Sequence, residues 1–538
     1  MAKNICVIGS GASGLTAIKT CLEEGFDVTC YEQSNFIGGL WKYRDQDEDG
    51  LASVARTTII NSSKEMSAYS DFPPPPEFAN YMHNTAMHAY FELYADHFKL
   101  KPHVQFRHKV IQVTKADDFE KTGRWKVTAL DLDTNNEVIS TFDGVMVCTG
   151  HHVKPLIPKF KGQEKFKGKI VHTHSYKKPQ PFENERVVVV GIGNSGGDAA
   201  VELSMFAKKV YLAIRRGSWI LWRVGTQGQP MDSELIRRFY AQVVNIVGFR
   251  VASKILQFFA NLRFDHKAYR IQPSHDAFCQ HPTVNDTLAN RVISGTVVLK
   301  NNIKEFTETG VIFEETEDEI EIDSVILATG YEISFPFLDK SLLWSSNEKI
   351  ELYKTVFPPK TSHPHTLAII GLIQPFGPLV PISEMQCRWF TQLMSGKRKL
   401  PSLKVMMEDV MKKRAEHDSR FYSSPRHQIQ VDFDRIMDEL GEQFGAKPNL
   451  TKLFFSDPVL WYHVYFGPLL PYHYRINGPH AWSGARKAIM TVDERIQAPL
   501  QTRKLINVST KSNDNLGMAS FIIPIFAILI CLIKFWFP

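Results

Sequence analysis

The sequence predicts an α/β fold of two dinucleotide-binding units, the second nested within the first, followed by a C-terminal membrane anchor. Three observations predict it. A strand, a glycine-rich turn and a helix follow one another at residues 3–24, the pattern recurs at residues 186–206, and residues 516–533 are uncharged and mostly apolar. The 538 residues suit several domains of roughly 100 to 200 residues each. A hydrophobic share of 43% with 22% charged residues is the balance of a globular chain. The net charge of +6 comes without any run of five basic residues, which argues against a nucleic-acid binder. Seven cysteines form neither a CxxC pair nor a zinc spacing, which argues against a metal module and a disulfide scaffold.

The first strand pattern, residues 3–8, runs into Gly9-Ser10-Gly11-Ala12-Ser13-Gly14 and a helical stretch over 15–24. In that context the first glycine permits the tight turn, the second lets a pyrophosphate approach the backbone, and the third lets helix and strand pack closely. The phosphates then face the positive end of the helix. The second strand, residues 27–31, ends in Glu32, placed to accept hydrogen bonds from the ribose of an adenosine moiety.

The second copy comprises a strand over 186–190, Gly191-Ile192-Gly193-Asn194-Ser195-Gly196, and a helix predicted over 197–206, in which Asp198 reads as a first-turn acid. The next strand, residues 209–214, ends in Arg215-Arg216-Gly217. A carboxylate there would repel a 2′-phosphate, whereas a guanidinium pairs with it, so this site should prefer NADPH to NADH. A solvated loop is the other reading of these arginines. One site with an acid and one with arginine suggest FAD that receives hydride from NADPH. The strands 144–148 and 323–327, each followed by glycine, read as crossings between the two units.

Residues 219–290 interrupt the second unit as an insertion. Within it, residues 239–264 are too polar for a clean membrane span; an amphipathic helix lying on a membrane and ordinary packing against the body both remain open. At the C-terminus, an 18-residue helix over 516–533 would cover about 27 Å, near the roughly 30 Å hydrocarbon thickness. Arg503, Lys504 and Lys511 precede it, so the body should stay cytosolic, and the apolar run near residue 5 is too short for a signal peptide.

Between the glycine turns, Phe166, Gly168, His172 and Tyr176 fit an FxGxxxHxxxY pattern. Together with Gly38-Gly39-Leu40-Trp41, Asn61-Ser62-Ser63-Lys64-Glu65-Met66, Ser70-Asp71-Phe72-Pro73, the run from Gln280 to Asp286, Gly371-Leu372-Ile373-Gln374-Pro375 and the apolar tail, it makes the sequence resemble the microsomal flavin-containing monooxygenases over nearly its whole length. One departure is His174-Ser175, where that family has an arginine and an acid.

The resemblance implies an NADPH- and O₂-dependent enzyme that oxygenates soft nitrogen- and sulfur-containing nucleophiles through a flavin C4a-hydroperoxide. Baeyer-Villiger oxygenation of ketones and an NADPH oxidase producing hydrogen peroxide remain as alternatives. A disulfide reductase would need a redox cysteine pair near the flavin. The resemblance further implies that Gly9, Ser10, Gly11, Ala12, Ser13 and Gly14 meet the FAD pyrophosphate, Glu32 its ribose, and Leu40, Trp41 and Ser62 the rest of FAD. Ile60 and Asn61 would meet NADP, with Asn61 the catalytic amide or, on its residues alone, a turn cap. Gly191, Gly193, Asn194, Ser195, Gly196, Gly197 and Asp198 would hold the NADP pyrophosphate, and Arg215 the 2′-phosphate. The expected layout is an FAD domain over 1–155 and 331–445, an NADPH domain over 156–330, a C-terminal region and linker over 446–511, and an anchor over 512–538. This implies an endoplasmic reticulum membrane protein with lipid contact through the anchor and a cytosolic catalytic body. No metal or nucleic acid is expected, and a homo-oligomer is left open.

Overall fold

The computed structural model describes residues 2–421 and 428–503. The expected anchor at 512–538 and most of the linker before it lie outside the described residues.

Two five-stranded parallel sheets carry the fold. In the first the order is Leu367–Ile369, Gly144–Val147, Asn4–Ile8, Asp27–Tyr31 and Val104–Gln105. In the second it is Val297–Lys300, Lys209–Ala213, Arg186–Val190, Ser324–Leu327 and Lys169–His172. The central strands are apolar on both faces because both faces are covered. Ile5 and Val7 join a core with Leu15 and Ile18 of the helix Ala12–Glu23, whereas Cys6 and Ile8 pack on Val113, Trp125 and Val127 of an antiparallel meander, residues 108–142. The second sheet repeats this plan. Val187 and Val189 face the helix Asn194–Leu203, and Val188 and Val190 face Phe306 and Phe313 of a second meander, residues 303–321. A two-stranded ribbon, Lys154–Pro155 against Tyr331–Glu332, joins the segments that enter and leave the second sheet.

Within the insertion, the apolar helix Arg238–Arg263 is long enough by length and composition to cross a membrane. Its backbone is not continuous: Gly248 sits at φ 82° and ψ 157°. Ala252, Ser253, Gln257 and Ala260 are buried and Arg238 pairs with Asp438 at 2.5 Å, while Ile246, Phe258 and Leu262 are exposed. One stripe therefore packs on the body and another stays bare.

A fully buried helix, Val380–Met394, packs along Ala12–Glu23 and brings Glu384 into the interior. There Glu384 meets Arg475, also fully buried, at 3.0 Å. Arg475 also reaches Asp71 at 2.9 Å and donates to Ser70 Oγ at 2.7 Å, and Lys19 closes on Asp71 at 2.5 Å. Burial alone would raise the Asp71 carboxyl, but Arg475 and Lys19 hold it below the usual carboxylate range. Removing one member of such a group strands the others without water. Arg475→Met is therefore expected to cost about 3 kcal/mol or more of stability in denaturant unfolding; a loss under about 0.5 kcal/mol would show that the cluster does not hold the layers together.

Candidate active site

At the first turn Gly9 has φ 95°, and its N–H donates to the Tyr31 carbonyl at 2.8 Å. A Cβ on Gly14 would lie 1.8 Å from the Gly9 carbonyl oxygen, so only glycine lets the helix start against the strand end. No side chain caps this helix at Gly11, which leaves its first N–H groups for an anion. Glu32 is buried and tied to the turn. One oxygen accepts from Ser10 N–H at 2.7 Å and Ser10 Oγ at 2.9 Å, the other from Ser34 N–H at 2.9 Å and Ser34 Oγ at 2.8 Å. A ribose hydroxyl would take the place of a serine hydroxyl there. Gly38 N–H donates to the Ser10 carbonyl at 3.0 Å, and Gly39 lies against Gly11, which carries half-buried Leu40 and Trp41 to the same turn.

The second turn has the same geometry. Gly191 has φ 107°, a Cβ on Gly196 would lie 1.9 Å from its carbonyl oxygen, and a Cβ on Gly193 would meet no atom within 4 Å. That open approach fits a pyrophosphate. The helix begins at Asn194 rather than at 197, so Asp198 lies beyond its first turn, a correction to the expected first-turn acid. Asp198 instead accepts from Asn285 Nδ2 at 2.9 Å, and burial pushes its carboxyl up to about 6. Asn194 Oδ1 accepts from Val284 N–H at 2.8 Å, and the Thr283 hydroxyl donates to the Ile192 carbonyl. The run from Gln280 to Asp286 thus buttresses this turn, with Ser195 and Gly197 following in the helix.

Beyond the neighbouring strand, Arg215 lines a cavity of about 450 Å³ with Arg216, Arg270, Lys300 and Glu315. Arg270 has φ 56°. It and Lys300 come from distant chain segments and carried no local sign of a nucleotide pocket.

Ile60 is buried and Asn61 and Ser62 half-buried, next to the insertion residues Arg223 and Asp232. Ile60 N–H donates to Met82 O at 3.0 Å, Ser62 and Ser67 hydroxyls meet at 2.7 Å, and every residue from 63 to 70 is buried. Asn61 Oδ1 accepts from Arg223 Nη2 at 2.6 Å. Arg223 is held by Asp286, through an ion pair at 3.1 Å and its own N–H at 2.9 Å, and its carbonyl accepts from Tyr81 OH at 2.7 Å. Ser63 N–H donates to Asp232 Oδ2 at 2.6 Å, and burial pushes that carboxyl up to about 6. Sequence reasoning missed Arg223 and Asp232; Asp286 was within a quoted motif, but without a role. His172 is a structural residue here: Nδ1 accepts from His174 N–H at 3.0 Å and Nε2 meets the Gly330 carbonyl at 3.0 Å.

A family model described as flavin-binding monooxygenase-like matches residues 2–537. The chain is 47% identical over 532 residues to flavin-containing monooxygenase 5 of Homo sapiens, covering 98% of this chain and 99% of that one. It is 41% identical over 539 residues to dimethylaniline monooxygenase [N-oxide-forming] 2 of Mus musculus, covering 100% and 99%. Among solved structures, S-allyl-L-cysteine S-oxygenase from Allium sativum superposes with a TM-score of 0.62 at 21% identity, covering 86% of this chain and 95% of that one, a likeness of fold.

The two cradles are expected to fail separately. Gly14→Ala should yield protein without bound flavin, and Gly196→Ala protein that keeps its flavin but is not reduced by NADPH, both read from the visible absorbance; normal reduction of Gly196→Ala would remove the second turn from the nucleotide site. Arg215→Ala and Arg270→Ala should each narrow the preference for NADPH over NADH by about tenfold. Equal ratios in mutant and parent would place the 2′-phosphate elsewhere.

Proposed function

Because the chain belongs to the flavin-binding monooxygenase-like family, we propose that this oxidoreductase uses NADPH and O₂ to place one oxygen atom on soft nucleophiles, nitrogen- and sulfur-containing small molecules. FAD, when bound, takes hydride from NADPH and activates O₂. The chain's residues bind, orient and exclude water. Gly9, Gly11 and Gly14 with Glu32 would hold FAD, the turn at 191–196 the NADPH pyrophosphate, and Arg215, Arg270 and Lys300 its 2′-phosphate.

The observation that carries the reading is the contact between Asn61 and Arg223. With Oδ1 committed to the guanidinium, the amide is fixed as a donor through Nδ2, which can meet developing negative charge on oxygen without giving up its proton. The buried run after Asn61 supports it by keeping water from that side. The relative named as N-oxide-forming favours nitrogen as an acceptor. The guanidinium also favours a second reading, since positive charge near the reacting oxygen stabilises the anionic form that attacks a ketone carbon to give an ester.

We place the body on the cytosolic side of the endoplasmic reticulum membrane, anchored by residues 512–538. The Gly248 break divides the helix Arg238–Arg263 into 10 residues (238–247) and 15 (249–263), each short of the ~20 a membrane span needs, which supports a surface role for its bare stripe.

The test is to follow NADPH, oxygenated product and hydrogen peroxide with a thioether, a tertiary amine and a ketone as alternative substrates. Product matching NADPH with the first two is expected, and Asn61→Leu should lower product formation about 100-fold while hydrogen peroxide takes its place. If the parent protein turned all NADPH into hydrogen peroxide, the oxidase reading would stand instead, and product from the ketone alone would favour the ester-forming one.

A further inference from the structure

The buried run after Asn61 contains two adjacent charges, Lys64 and Glu65, both without solvent exposure and 3.2 Å apart. Their partners come from the far end of the chain. Arg495 donates through Nε to Glu65 Oε2 at 3.1 Å and brings Nη2 within 3.1 Å of Oε1, while Tyr472 OH donates to Oε2 at 2.8 Å. In return Lys64 Nζ donates to the carbonyls of Arg495 and Pro76, each at 2.9 Å, and Arg495 Nη2 donates to Pro74 O. The two strands of contact cross, so neither segment can slide along the other without breaking both.

Burying such charges is weak evidence of a role in stability, because apolar side chains of similar volume often do as well. What they supply is position, since each bond has a short range and a direction. The position passes to Asn61 through a tight turn: Ser67 N–H donates to Ser63 O at 2.9 Å, and the hydroxyls of Ser62 and Ser67 meet at 2.7 Å. On its other side the same turn is held by Asp232 and Arg223 of the insertion.

We propose that Arg495 and Tyr472 are positioning residues: acting through Glu65, they fix the Asn61 turn and so decide how much of the NADPH ends as oxygenated product rather than hydrogen peroxide. This rests on the reading of Asn61 given above.

The test uses full-length, flavin-loaded protein with Arg495→Met, Arg495→Lys and Tyr472→Phe. Hydrogen–deuterium exchange over residues 61–72 of the resting protein is measured beside flavin content, the rate of flavin reduction by NADPH, and hydrogen peroxide formed per NADPH with a thioether present. Arg495→Met is expected to exchange faster over 61–72, to keep flavin reduction within about twofold of the parent, and to raise the hydrogen peroxide share at least about threefold. Arg495→Lys should restore most of the coupling, and Tyr472→Phe should move in the same direction by less. If Arg495→Met does not fold or lacks flavin, the two milder variants decide. Faster exchange with an unchanged hydrogen peroxide share would overturn the proposal and leave a packing role, as would reduction and coupling falling in parallel. A parent protein that makes no oxygenated product fells the underlying reading itself, which shows before any variant is compared.

Discussion

Both nucleotide cradles depend on one close approach, a helix N-terminus set against the end of the strand before it. The limiting contact is carbonyl oxygen to α-carbon, at Gly9 with Gly14 and again at Gly191 with Gly196. A single methyl group at either place would push the helix off its sheet, moving the uncapped N–H groups away from where a pyrophosphate would bind on the proposed reading. Because the same backbone device is used twice, a main difference between the cradles is the charge gathered around the end of the next strand. Glu32 stands at one end and the cavity of Arg215, Arg270 and Lys300 at the other. On the function proposed above, charge rather than shape would separate the two nucleotides.

What was legible in the sequence was local. The strands at 27–31 and 186–190 coincide with the observed ones, the second as a near-continuous valine run and the first as a short β-prone segment after a glycine turn and helix, both typical of a buried parallel sheet. The helices after both turns start three residues earlier than the sequence suggests, at Ala12 and Asn194, since Ser and Gly residues of poor helix propensity open each of them. Arg215 was legible as a residue ending a strand, whereas Arg270 and Lys300 were not, because only the folded chain brings them to it. The two meanders were missed for a similar reason, as short antiparallel strands cover the sheets without any motif of their own.

Asn61 shows the limit most plainly. Its type and neighbours marked it, yet the amide oxygen is bonded by Arg223, 162 residues away, and Glu65, in the buried run that follows, pairs with Arg495, 430 residues on. If the proposed chemistry holds, such distances follow from it: a pocket that keeps water from a reactive oxygen would have to be closed by more than the adjacent residues of one loop. The insertion and the C-terminal layer both contact this segment and also meet each other, through Leu469 N–H donating to Ile236 O at 2.9 Å and the bridge between Arg237 and Pro468. The turn bearing Asn61 is therefore not a loop laid over a finished fold. It is the seam at which three separately encoded parts of the chain meet, so a shift in any one of them reaches it.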